Sequence, residues 1–444
     1  MSRTFYWTAA AILTGVLVVA LPFALAALRD SDGSEAAPDR RRTAESRAYE
    51  KVGYFPNWAS YERGFHVKNL VSSGAVGNLT TIQYAFAELD AKGRCTVNAK
   101  DDYARSYSAD ASVDGVADTA DTALRGHFGQ LKRLRQQHPE LKINLAIGGW
   151  TGSKYFSNAA LTPASRTAAV RSCLDLFIRG DLPKSGTAGG PGAARGLFDG
   201  IDIDWEWPGS PGYNDNVHRP QDKRNLTLLL AEFRAQLDAQ GEADGRRYGL
   251  TMFLPAAPGD IKTGIEVDEI HRYLDYASLQ GYDLHGQWEE RTNHQSNLHD
   301  VADDPGTPGR FSVSAAVDAY LGAGWPASKL VLGIPMYGRG WKGVPSQGRG
   351  LWQKGTGPAK GEYEEGLEDY KVLATRPGEV HRDDEAGAVW KYDGQTWWTY
   401  DDPKLVAVKG AYIKKKKLRG GMFWSLDGDD DRASLSTALA EALS

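Results

Sequence analysis

The chain has 444 residues, 41% of them hydrophobic, and a formal net charge of -5. That balance supplies no polybasic field for nucleic acid, while the apolar fraction is enough to bury a sizeable core. Length alone would allow about three average domains, yet α/β barrels exceed that prior as single units.

At the start, Arg3 precedes an apolar run from about Thr8 to Ala20, followed by Pro22 and the small-residue pattern Ala24-Leu25-Ala26. Residues 1–28 therefore read as a secretory signal and the protein as secreted. The alternative is a membrane-anchored, extracytoplasmic protein, because the apolar stretch reaches Leu28 and is nearly long enough to span a bilayer. Residues 29–48 are charged, small and Pro-containing, the composition of a linker. In an exported chain Cys95 and Cys173 either pair or stay as two buried thiols.

The folded body starts near residue 49. Lys51–Trp58 has the pattern of a first strand, Leu79–Phe86 of a second and Lys142–Trp150 of a third. An acidic run, Phe198–Pro208, follows as the fourth. Tyr248–Pro255, Tyr276–Asp283, Leu330–Met336 and Gly421–Leu426 complete eight strand-like runs, alternating with helix-capable stretches. The economical reading is an α/β fold, a (β/α)8 TIM barrel of parallel strands. Helical spacing marks Gly126–His138 and Asn225–Leu237, the latter through Leu226, Leu229, Leu230, Phe233 and Leu237. Asp402-Pro403 is an N-cap followed by an N1 proline, and the basic run Lys414–Lys417 falls late in that helix, where it complements the dipole. Between the seventh strand and Asp402 lie about 60 residues rich in Gly, Tyr and Trp, longer than an ordinary loop. A small α+β insertion is expected over 342–400, dividing the barrel into 49–341 and 401–444.

The acidic run carries the chemistry. Within Phe198-Asp199-Gly200-Ile201-Asp202-Ile203-Asp204-Trp205-Glu206-Trp207-Pro208, strand alternation puts Asp202, Asp204 and Glu206 on one face and Ile201, Ile203 and Trp205 on the other. Asp199 has the wrong parity and precedes the strand proper. Three carboxylates on a buried face are too costly to keep for packing, and Glu206 falls at the carboxyl end, where barrel enzymes keep their chemistry. A divalent-metal site or a buried acid tying loops together are the competing uses of such a cluster. No His lies within it and no glycine-rich phosphate loop accompanies it, so neither a metal nor a cofactor is expected. The 13 Trp and 20 Tyr suit a cleft that stacks on the apolar faces of sugar rings.

The spacing D-x-x-D-x-D-x-E followed by W-P resembles the signature of family 18 glycoside hydrolases, the chitinases and their relatives. Further segments are similar to the family in the same order: Ala146-Ile147-Gly148-Gly149-Trp150, Gln280-Gly281-Tyr282-Asp283, Met336-Tyr337-Gly338-Arg339-Gly340-Trp341 and Met422-Phe423-Trp424. The resemblance covers nearly all of residues 49–444. The stretch 342–400 resembles the chitinase insertion domain, which favours a chitinase over endo-N-acetylglucosaminidases. Ala146 stands where the family has serine, leaving Tyr54 as the hydroxyl donor expected near Asp202, and Gln280 replaces the usual methionine.

The resemblance implies a retaining, substrate-assisted hydrolysis of chitin or chito-oligosaccharides by a monomer without cofactor. Glu206 would protonate the leaving oxygen, with Asp202 and Asp204 coupled behind it. The substrate's own acetamido oxygen would attack the anomeric carbon, its N–H oriented by Asp204 and its carbonyl by Tyr282. Asp283 and Arg339 would hold sugar hydroxyls, a plain salt bridge between them being the alternative. Trp424 would form the floor, Trp150 and Trp288 would stack sugars towards opposite ends of the cleft, Trp207 would line it, and Gly149 would let backbone approach the sugar. Relatives that cut peptidoglycan or N-glycan cores are the nearest rival. A non-catalytic chitin-binding lectin is disfavoured because Glu206 is present.

Overall fold

The computed structural model describes residues 48–213, 216–301, 304–305 and 311–444. The expected signal or anchor (1–28) and almost all of the expected linker (29–48) lie outside the described residues. Among the described residues no helix is long and apolar enough to cross a membrane.

Seven barrel strands come first, with three short strands outside the barrel between them: β1 Glu50–Pro56, β2 Thr81–Leu89, β3 Lys142–Gly148, β4 Gly200–Asp204, β5 Gly249–Leu254, β6 Tyr276–Leu279 and β7 Leu330–Pro335. Each pairs in parallel with the next. A last strand, β14 Gly420–Trp424, pairs in parallel with both β7 and β1 and closes the barrel. The eight expected strand runs are all present. The fourth is shorter than its apolar–acidic pattern suggested: β4 stops at Asp204, and the Glu206 N–H donates to Ser153 Oγ at 2.9 Å instead of to a neighbouring strand.

The helices between strands follow their patterns. In the helix Asp222–Asp244 the residues Leu226, Leu229, Leu230, Phe233 and Leu237 form one buried face, and the helix ends on Gly245 in the left-handed conformation. In Pro403–Lys416 the Asp402 carboxylate accepts the Leu405 N–H at 3.0 Å, and Lys414, Lys415 and Lys416 occupy the last turn. Cys95, on the short strand Cys95–Thr96 beside β2, is disulfide-bonded to Cys173 at the end of the helix Pro163–Cys173. That short strand and the hairpin Leu182–Ser185 with Ala188–Gly190 carry too few residues for a periodic signal and were not expected.

A second, antiparallel sheet is inserted between β7 and β14. It comprises β8 Tyr337–Lys342, β9 Gly357–Pro358, β10 Leu367–Asp369, β11 Glu379–Asp383, β12 Ala388–Tyr392 and β13 Trp397–Thr399, with the helix Tyr370–Thr375. The order is β9-β8-β13-β12-β11, and β10 also pairs with β8. The sheet therefore begins at Tyr337, not at the expected 342: Tyr337–Trp341 leave the barrel to pair with β10 and β13. Gly340 permits this, since a Cβ there would lie 2.4 Å from the Trp398 ring. Trp341, Val344, Trp390, Tyr392 and Trp397 form a core of their own.

Candidate active site

At the carboxyl ends of the barrel strands lies a cleft of about 1480 Å³. Every site residue expected from the sequence lines it except Asp202 and Gly149. Asp202 sits one level deeper, fully buried inside the barrel. Tyr54 OH donates to its Oδ2 at 2.6 Å, as expected, and Thr251 on β5 donates to its Oδ1 at 2.5 Å, which was not. Asp204 is also buried, and its Oδ1 has no hydrogen-bond partner among the described residues. Glu206, half-buried, lies in the turn after β4. Its N–H goes to Ser153 and its carbonyl accepts from Asn216 Nδ2 at 3.2 Å, so its backbone is held from two sides. Ser153 Oγ also lies 2.9 Å from the Gly149 carbonyl and 3.1 Å from that of Asp204, tying the ends of β3 and β4 together.

The electrostatics follow from burial without cations. Burial pushes the Asp202 carboxyl up to about 6, opposed by the hydroxyls of Thr251 and Tyr54, which stabilise the anion. Asp204 is pushed well above the usual carboxylate range by burial, then by the charges of Glu206 and Asp202. Burial carries Glu206 up to about 8, with the Asp283 carboxylate adding to the rise. A carboxyl facing a cleft that still holds its proton at neutral pH can act as a general acid. Burial also keeps Tyr282 in its neutral form, an O–H donor on the cleft wall.

Opposite charges meet elsewhere in the cleft. Arg339 on β8 forms two parallel hydrogen bonds to Asp283, Nε to Oδ1 and Nη2 to Oδ2, both at 2.8 Å. Asp283 adopts a left-handed backbone (φ 56°), turning its carboxylate towards the inserted sheet. The salt bridge held open as an alternative is thus present, in residues that also line the cleft. Just before it, Gly281 lets the chain pass close to β7, because a Cβ there would lie 1.9 Å from the Gly333 carbonyl. Trp424 packs edge-on against Tyr54 at 5.4 Å and stacks with Phe86 at 5.7 Å. Trp207 stacks on Phe253 at 5.5 Å. Trp150 and Trp288 stand at 48% and 56% exposure, far more than packing alone would leave.

Gly149 sits just beneath the cleft surface. It is not among the cleft-lining residues; its φ is 81° and a Cβ would come within 2.5 Å of the ring of Phe86, which does line the cleft, so glycine lets that ring lie close over the end of β3. Conversely, Trp58, Phe253, Tyr337 and Arg63 line the cleft without having been assigned there. Arg63 hydrogen-bonds Asp369 of the inserted sheet and lies 3.3 Å from Asp427 beyond β14, with Tyr363 over its guanidinium at 4.2 Å. Alternation along β5 puts Thr251 and Phe253 on one face, but not which strand that face meets. Among the described residues no group of three or more His, Cys, Asp or Glu is placed to hold a metal ion.

Chitinase C of Streptomyces lividans is 36% identical over 389 residues, covering 85% of this chain and 57% of that protein. The catalytic domain of the psychrophilic chitinase B from Arthrobacter TAD20 superposes with a TM-score of 0.86 at 43% identity, covering 89% and 95% of the two chains. A family 18 N-acetylglucosaminidase from Paenibacillus barengoltzii gives 0.69 at 31% identity over 89% and 99%. The chain spans 57% to 60% of the length of three curated chitinases that it matches. The family model for glycosyl hydrolases family 18 matches residues 50–429, from the first barrel strand to just beyond the last. With three acids along β4 and the turn after it in a closed eight-stranded barrel, this chain belongs to glycosyl hydrolases family 18.

Proposed function

We propose that the protein is a chitinase that hydrolyses β-1,4 linkages between N-acetylglucosamine units with retention of configuration, using the substrate's acetamido group as nucleophile. The observation that carries this reading is the placement of Glu206, whose carboxyl burial pushes up to about 8, in the turn after a buried Asp204 whose Oδ1 has no hydrogen-bond partner among the described residues. Glu206 donates its proton to the leaving oxygen. Asp204 accepts the acetamido N–H, and Tyr282 donates its hydroxyl to the acetamido carbonyl, holding that oxygen against the anomeric carbon. Of the other cleft carboxylates, Asp283 is committed to Arg339 and both Asp369 and Asp427 to Arg63, which agrees with a nucleophile brought by the substrate. Trp424 underlies the reacting sugar, Trp150 and Trp288 stack its neighbours, and the inserted sheet supplies one wall through Arg339 and Leu367.

Chito-oligosaccharides should be cleaved to products of retained configuration, followed by NMR of the fresh anomer, while fully deacetylated oligomers are left intact. Inverted products, or efficient hydrolysis of the glucosamine-only chain, would falsify this mechanism. The likeness to an N-acetylglucosaminidase supports a second reading in which single sugars or glycan cores are released. Product sizes on chitin oligomers and on a glycoprotein separate the two. Export is proposed from Arg3, the apolar run after it and Ala24-Leu25-Ala26. A mature protein whose mass begins after Ala26 supports cleavage, and recovery of the full chain in membranes supports the anchor.

A further inference from the structure

Asp202 stands between two register partners inside the barrel, Ala146 on β3 and Thr251 on β5. Neighbours at one level of a barrel interior share space, so either position is within reach of this carboxylate. Ala146 offers no hydroxyl and is fully buried. Thr251 does: its Oγ1 lies 2.5 Å from Asp202 Oδ1. Behind it, Gln83 Nε2 on β2 donates across the barrel to the same Oγ1 at 3.1 Å. With Gln83 donating into the hydroxyl oxygen, the single Thr251 proton points at Asp202. Tyr54 completes the arrangement on Oδ2.

We propose that Thr251, oriented by Gln83, is a positioning residue that holds Asp202 as the ionised member of the acid chain, supplying from β5 what a hydroxyl at position 146 would supply from β3. This rests on the hydrolytic reading of the three acids. An anion at Asp202 disfavours a second one at Asp204 and so biases where the proton resides along Asp202, Asp204 and Glu206. The titratable groups facing Asp202 are Tyr54 from β1, Asp204 from its own strand and Tyr276 from β6. Gln83, Ala146 and Thr251, from β2, β3 and β5, do not titrate. Burial holds both tyrosines neutral well above physiological pH, which leaves Asp202 and Asp204 as the pair that responds. Of the two hydroxyls that oppose the upward pull of burial on Asp202, Thr251 contributes more than Tyr54.

The test replaces Thr251 by the nearly isosteric valine and reads two quantities: the pH profile of kcat on chito-oligosaccharides, and the titration midpoint of the Asp202 carboxyl carbon by NMR in the free protein. Thr251→Val should move the acid limb and the midpoint upward by about one pH unit, the scale of one hydrogen bond to a charged group, with KM little changed. Thr251→Ser should return both to the wild-type values, and so should the double variant Ala146→Ser with Thr251→Val. Gln83→Leu should shift both in the same direction by less, and it decides the matter if the valine variant does not fold. A valine variant whose kcat falls equally at every pH with an unmoved midpoint overturns the proposal, as does a serine at 251 that behaves like valine. If the wild-type protein proves not to cleave these oligomers, the hydrolytic reading fails, and the midpoints still judge the role of Thr251.

Discussion

Two of the regions that bury carboxylates neutralise them in opposite ways. Beside the helix Pro403–Lys416, Asp401 is fully buried against the equally buried Lys409 ammonium, and Ser296 donates to its Oδ1 at 2.5 Å. Inside the barrel and at its mouth, Asp202, Asp204 and Glu206 have no Lys or Arg partner among the described residues; hydroxyls and protons do the work of a counter-ion. Of the cations lining the same cleft, Arg339 and Arg63 are engaged by other acids. A buried acid matched by a cation is scaffold, because neither charge can leave without stranding the other. Where only protons balance the charge, a proton can be given away and taken back.

The comparison is tested most severely at Glu206. Glu206→Gln keeps shape and most hydrogen bonding but removes the donated proton, so kcat on chito-oligosaccharides should fall by about 10² to 10⁴-fold while oligomer binding survives. Turnover near the wild-type level would remove Glu206 from this role. At the other region the readout is stability: Lys409→Met strands the Asp401 charge and should cost about 3–5 kcal/mol in denaturant unfolding, much of it recovered when Asp401→Leu is added. An unchanged unfolding midpoint would show that the pair contributes nothing.

Tyr282 sharpens the contrast between structural and reactive hydroxyls. Tyr282→Phe should lower kcat by about 10²-fold if the bond it makes strengthens in the transition state, with little change in the unfolding midpoint. A large stability loss with normal turnover would make Tyr282 a packing residue. A last test is a linkage. Glu206 rises from 4.5 to about 8 on folding, so between these values the unfolded chain has lost a proton that the native state keeps. Stability must then fall as pH rises through that window, and level off above about 8. Glu206→Gln removes this slope. Thermal melts of both proteins across the window should diverge from low to high pH, the variant gaining relative to the wild type; parallel curves would contradict a protonated Glu206.

Much of this was legible in the residues themselves. Alternation along Ile201–Glu206 put three acids on one face, and the parity of Asp199 set it apart; in the structure Asp199 accepts the Ile143 N–H at 3.0 Å and pairs with Arg135 and Arg246 away from the cleft. The helix start at Asp402-Pro403 and the closure at eight strands were equally readable, because caps and periodicity are local properties. What lies across the barrel was not. That Thr251 meets Asp202, that the Phe86 ring lies against Gly149, and that Tyr337–Trp341 desert the barrel for a second sheet all depend on which strands become neighbours. The sequence determined which side chains share a face and how much charge that face would carry. Only the tertiary structure decided which hydroxyls and cations stand opposite them, since register and closure are set by packing between segments far apart in the chain.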